Sequence, residues 1–391
     1  MKAKTISGNS PEQLYAALEE RMKDGFRPTL AIVFISVKQD REAVSALFRG
    51  AGIDMIGATS AGEFIEDHES GGGIVAMLLD LDKSRYRILF QEIGNHTLQF
   101  AAQMLMERAY ESFANPAFIL LSTYHSEQGT TIDGESLIRY LEEIAGPGLN
   151  LFGGMAGDDI TFEGTYVFTD SQVTDYGVAA LVLDESKVSF RGMALSGWKP
   201  IGISRTITKS EGTLVYTIDD QPAFETYLRF LGVDPASVKS QINFFSTEAI
   251  HYPLQLEREG REPMMCNPIG YDEEKGALIF ESKVATGTSF RFSTPPDFDI
   301  VETVLEKAGE LKAETGEGAE ALLIFSCAGR LSALGPLAQQ ENDWLQAIWD
   351  APMAGFYTYG EFGRALNGKH EFSSTTNSWV ALKEKEPLVK Q

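Results

Sequence analysis

Only two cysteines, Cys266 and Cys327, occur among 391 residues. Two distant thiols make no disulfide framework, and neither stands in a Cys-x-x-Cys or Cys/His metal spacing, so a reducing compartment and no metal site are expected. Histidine is equally sparse: His68, His96, His125, His251 and His370 lie far apart with no partner motif. A haem needs only one axial ligand, and His125 and His251 are the positions least ill-suited to that role. Basic residues are few, 33 Lys and Arg against 56 Asp and Glu, for a net charge of −23. That balance disfavours the counterion-replacing contacts of nucleic-acid binding and docking on anionic lipid, and its ordinary meaning is solubility. Long apolar runs are missing too: no window reaches the ~20 residues that span a bilayer, and the N-terminal stretch has no signal core. A cytoplasmic protein is expected.

Familiar catalytic and nucleotide-binding signatures are also lacking. No GxGxxG opens a helix after the first strand, and neither a Walker A loop nor a GxSxG elbow occurs. What is present instead is a repeat. Continuous apolar runs at 29–36, 117–124 and 320–327 read as strands buried on both faces. Helical patterns follow at 41–49, 134–145 and 337–349, the first expected to end on Gly50. Each leads to a glycine turn, GATSAGEF (57–64), FGGMAGDD (152–159) or GFYTYGEF (355–362), and then to a further strand at 73–79, 177–183 or 378–383. The expected fold is α/β: repeated β-α-turn-β units forming mixed sheets covered by helices. Two domains, 1–196 and 197–391, are expected from the length and from a change of character near Gly197. Beyond it come a hairpin over 205–219, a helix over 222–231, antiparallel strands near 264–271, 277–281 and 289–293, and a helix over 299–311; 241–261 reads as a loop packing across the site.

The polar residues on the turns are the candidate site. Thr59 and Thr358 lie within turns, and Glu63, Asp158 and Glu361 directly follow them. Such carboxylates cap local backbone N–H groups or receive a ligand's amine. Arg330, after the strand of the third unit, needs an anion: a carboxylate such as Glu361, or an incoming ligand. Trp198 and Tyr359 could wall a pocket. Cys327 is either a buried inert thiol or, given a nearby base, a nucleophile of an unrecognised hydrolase.

These residues carry a resemblance. Ile56–Glu63 and Leu151–Asp159 resemble the FIST N domain; Gly197-Trp198, Asp220–Phe224, Ser326–Arg330 and Gly355–Glu361 resemble the FIST C domain. The likeness spans about residues 30 to 382, although a His-Asn-x-Thr stretch frequent in the family is Ser373–Thr376 here. It implies a non-enzymatic sensory module for signal transduction that binds a small ligand, with amino acids or small carboxylates a suggested class. In this picture Arg330 receives the carboxylate, Glu361 or Glu63 takes the amine, and the turns line the pocket. Some family members are haem-containing nitric-oxide sensors. No output segment is recognisable in these residues, so a signalling partner such as a histidine kinase or a cyclase is expected.

Overall fold

The computed structural model describes residues 1–66, 68–238, 244–294, 297–316 and 318–385. The three repeated units form three six-stranded sheets of one plan. In each, a parallel pair sits at the centre: Leu30–Ile35 with Asp54–Thr59, Pro116–Ser122 with Leu151–Met155, and Ala321–Cys327 with Met353–Thr358. The unit's closing strand pairs antiparallel on the outer side of the first member, followed by one more antiparallel strand. The apolar runs are continuous because both faces are covered. Leu30, Ile32 and Phe34 point into a core shared by all three sheets, while Ala31, Val33 and Ile35 face the unit's own helices. The other two units divide in the same way: Ile119 and Leu323 face the shared core, Leu120 and Ile324 the helices.

What completes each sheet is not its own. The hairpin after each glycine turn crosses to a neighbouring unit. Glu63–Ile65 pairs with Met353–Thr358 of the third sheet, Glu361–Arg364 with Leu151–Met155 of the second, and Val167–Thr169 with Asp54–Thr59 of the first. The exchange is cyclic, so the three sheets close into one body around the shared core. A hairpin ring lies over the strand glycine where it lands: a Cβ on Gly57 would sit 2.5 Å from the Phe168 ring, and one on Gly355 2.5 Å from Phe64.

Between the strand Val188–Leu195, which lies on the third sheet, and the helix Phe298–Thr315, the chain builds an eight-stranded antiparallel sheet with its own core around Phe224, Tyr227 and Phe290. Gly197 lies where the chain leaves the third sheet for this inserted one. The hairpin, the helix Ala223–Leu231 and the antiparallel strands fall close to the expected positions. Elsewhere the reading needed correction. The helix Arg41–Ala51 runs through Gly50 and caps on Gly52 (φ 71°), and Ala328–Leu334 adds an unanticipated helical turn after the third-unit strand. Part of the expected loop, 241–243, lies outside the described residues; the rest carries a helical turn, Phe244–Thr247, and a strand, Leu254–Leu256. Among the described residues no helix is long and apolar enough to cross a membrane.

Candidate functional site

The three glycine turns bond to one another. Ala61 N donates to Tyr357 O (2.9 Å), Tyr359 N to Met155 O (3.2 Å) and Gly157 N to Thr59 O (2.9 Å), while Tyr357 N and Met155 N donate to Gly62 O and Gly360 O. These amides hold the threefold junction together and are not free for an anion.

The carboxylates cap. Glu63, fully buried, accepts from Ser60 Oγ (2.6 Å) and from the amides of Gly72 and Gly73. Burial raises its pKa against those donors. Asp158 accepts from the amides of Phe162, Glu163 and Gly164 and from the Tyr359 hydroxyl. Burial opposes its ionisation, but those donors prevail and hold the carboxyl below its ordinary range. Thr59 Oγ1 accepts from Tyr166 N (2.9 Å). His125 is buried against the rings of Tyr124, Phe162 and Tyr359, its Nε2 3.5 Å from Asp158. Tyr359 thereby joins the second turn to the third.

Glu361, also fully buried, accepts from Thr358 Oγ1 (2.5 Å), Thr376 Oγ1 (2.6 Å) and Thr376 N (3.1 Å). The Ser373–Thr376 stretch, where the family pattern is broken, thus supplies its donors. Burial pushes its pKa up to about 8. A carboxyl with a raised folded-state value binds its proton more tightly folded than unfolded. The stability it contributes is therefore complete below about pH 4.5 and is lost as pH rises through about 8. Equilibrium unfolding is expected to show stability falling by about 1 kcal/mol per pH unit across that window. Glu361→Gln should flatten the slope; an unchanged slope in that variant would assign it elsewhere.

Arg330 does not meet Glu361. Its carboxylate is Glu341, one helix on: Nε and Nη2 bind the two oxygens at 2.8 and 2.6 Å, with both side chains fully buried. Nη1 donates to Ser196 O (2.5 Å), and the guanidinium lies 5.4 Å from the Trp198 ring, whose Nε1 donates to His251 O. Asn377 Nδ2 adds a further donor to Glu341 (2.8 Å). Of the partners open to Arg330 from the sequence, Glu361 or an incoming ligand, neither is the one it meets; Glu341 holds it. Geometry decides it: the helix Pro336–Trp349 buries Ala338, Glu341, Asn342 and Leu345 on one face, so Glu341 arrives opposite Arg330. That helical spacing was visible in the sequence and is the signal that would have found it.

Around this pair a polar seam joins the inserted sheet to the third unit. Thr375 is at its centre, fully buried, with φ 59°, a sparsely populated conformation for a β-branched residue. Asn267 of the inserted sheet donates to Thr375 Oγ1 (3.0 Å), and its amide donates to Glu281 (2.9 Å). Ser374 Oγ also donates to Glu281 (2.9 Å), and Tyr124 of the second unit donates to the Glu281 carbonyl (3.2 Å). Three parts of the molecule therefore converge on Glu281. It is densely surrounded yet keeps partial solvent access, and burial raises its pKa against its donors. The buried Oδ1 of Asn267 has no hydrogen-bond partner among the described residues. Cys327, at the edge of the seam, is buried; burial, then the Glu361 and Glu281 carboxyls, push its thiol well up, which keeps it protonated. Neither Glu281 nor Asn267 was singled out from sequence, because each follows a strand in the divergent region with no turn motif to mark it.

Of the residues expected at the site, Arg330, Trp198, Cys327, Glu361 and Thr358 adjoin this seam, whereas Glu63, Thr59, Asp158 and Tyr359 belong to the turn junction. Among the described residues no group of three or more metal-ligating side chains gathers.

Residues 29–221 match the FIST N domain and 223–364 the FIST C domain. An uncharacterised protein of Methanocaldococcus jannaschii is 33% identical over 194 residues. The match covers 46% of this chain and 35% of that protein, so the chain spans about a third of the length of this relative.

Proposed function

The chain belongs to the FIST family, carrying both its N and its C domain, and from that premise we propose that it is a sensor whose ligand presents an amine to Glu281. FIST domains are associated with sensory signal transduction and with small-ligand binding. The observation that carries the reading is the unmet acceptor Asn267 Oδ1, beside a Glu281 carboxylate that accepts only from Asn267 and Ser374 among the described residues. Glu281 keeps partial solvent access, and Asn267 Oδ1 beside it lacks a donor. An ammonium supplies donors and no acceptor, so it matches this need. Arg330, paired with Glu341, is not available to a ligand carboxylate, which shifts the recognised end of an amino acid from its acid to its amine.

The seam is also suited to transmission. Asn267 and Glu281 belong to the inserted sheet, Ser374 and Thr375 to the third unit, so a ligand bound between them biases how the two bodies meet. The output passes to a partner protein, for which a histidine kinase or a cyclase is the class suggested by the family.

Amino acids, simple primary amines and matched carboxylates lacking the amine are the ligands to compare by thermal shift and calorimetry. Amine-bearing compounds are expected to stabilise the protein by about 2.7 kcal/mol at a hundredfold excess over Kd. Binding should weaken at least ~10-fold in Glu281→Gln, which removes a charge-assisted bond. Equal binding by the amine-free compounds, or undiminished affinity in Glu281→Gln, would overturn the proposal.

A further inference from the structure

A cavity lies in the inserted sheet, beside the Asp220–Phe224 segment that the seam does not use. The strand Pro200–Glu211 pairs Ile201 with Phe292 and Arg205 with Phe290, so a bulge at 202–204 separates the two pairs. Gly202 (φ 76°) turns within it, and Ile203 is lifted into solvent, 71% exposed. Bulges of this kind re-aim side chains and open a sheet surface. Beneath it is the cavity, of about 260 Å³. Its apolar wall includes Phe230 and Phe292, stacked with centroids 3.8 Å apart and planes 6° from parallel.

Two polar groups in the lining have no partner among the described residues, the buried Thr226 hydroxyl and the solvent-exposed Arg229 guanidinium. Thr226, on the helix Ala223–Leu231, is 8% exposed, and its hydroxyl has no hydrogen-bond partner among the described residues. A buried helical threonine ordinarily bonds back to the preceding turn, so an idle hydroxyl here is an unmet demand. Arg229, one turn further on, also lines the cavity, and no ion pair or side-chain hydrogen bond engages its guanidinium among the described residues. Arg205 differs: it is paired with Asp219 (2.7 Å), which also accepts from Thr206 N.

We propose that this cavity binds a small planar carboxylate, with the carboxylate on Arg229 and Thr226 and a flat apolar body against Phe230 and Phe292. A guanidinium matches a carboxylate through two parallel N–H···O bonds, and the threonine hydroxyl supplies one more donor. The Asp219 carboxylate in the wall opposes a second negative charge, which favours a monoanion over a phosphate dianion. The cavity has room for an aromatic acid such as benzoate.

Calorimetry on the full chain with benzoate, cyclohexanecarboxylate, benzyl alcohol and inorganic phosphate tests the site. Benzoate is expected to bind at least ~10-fold more tightly than each of the other three, and to lose at least ~10-fold in Arg229→Gln. Thr226→Val keeps the side-chain volume, so it should fold with undiminished stability while binding benzoate several-fold more weakly. Glu281→Gln should leave benzoate binding intact and Arg229→Gln should leave amine binding intact, which separates this site from the seam. No benzoate binding at millimolar concentration, or equal binding in Arg229→Gln, would overturn the proposal; so would phosphate competing as well as benzoate.

Discussion

Arg330→Ala is expected to destabilise the protein by about 3–5 kcal/mol, because it strands the Glu341 carboxylate in a fully buried site. The guanidinium satisfies both Glu341 oxygens and the Ser196 carbonyl, and Asn377 alone cannot replace it. Arg330→Lys should recover only part of the loss, since an ammonium cannot reproduce the two parallel bonds. Removing both charges, as in Arg330→Met with Glu341→Leu, should recover more than either single change. Urea unfolding of these variants, with the Arg330→Met and Glu341→Leu single changes alongside, measures this. If Arg330→Ala instead unfolded at the wild-type midpoint while abolishing ligand binding, Arg330 would be a ligand contact and the ion pair incidental.

Gly153→Ala should be at least as damaging. An added Cβ would lie 1.8 Å from the Leu120 carbonyl oxygen and 2.8 Å from its carbon, at φ 152°. Those are backbone atoms of the neighbouring parallel strand, whose ladder runs from Phe118–Leu151 to Ser122–Met155, so no side chain can swing aside. Separating the strands would also disturb Phe362, which pairs opposite Gly153 from the exchanged hairpin. A cost above ~4 kcal/mol takes much of the 5–15 kcal/mol typical of a folded protein, and little soluble protein is expected. Gly50→Ala is the control: it lies within a helix with open space around it and should stabilise by about 0.5–1 kcal/mol. Comparable unfolding midpoints for the two variants would show that the sheets are not packed in this way.

The glycine turns illustrate how far sequence reasoning reached. Their repeat correctly announced three α/β units, because two-faced burial writes itself as unbroken apolar runs such as Leu30–Ile35. Capping was one of the two roles open to Glu63, Asp158 and Glu361, and each accepts from the backbone amides of its own turn or a nearby segment. The amides of the turns were expected to face a ligand, yet they bond to one another across residues that lie about a hundred or more positions apart. Arg330 needed an anion on elementary grounds, but choosing between Glu341 and Glu361 required the packing of two helices against one sheet.

By itself, then, the sequence determined the local elements, their threefold recurrence and the family, since periodicity and turn chemistry act over a few residues. Only the tertiary structure decided which hairpin completes which sheet, which acid neutralises Arg330, and which acceptors at the seam remain unmet. Strand exchange depends on groups that are distant in the chain and adjacent only after folding, and the helical spacing that puts Glu341 on a buried face does not by itself say which cation it meets.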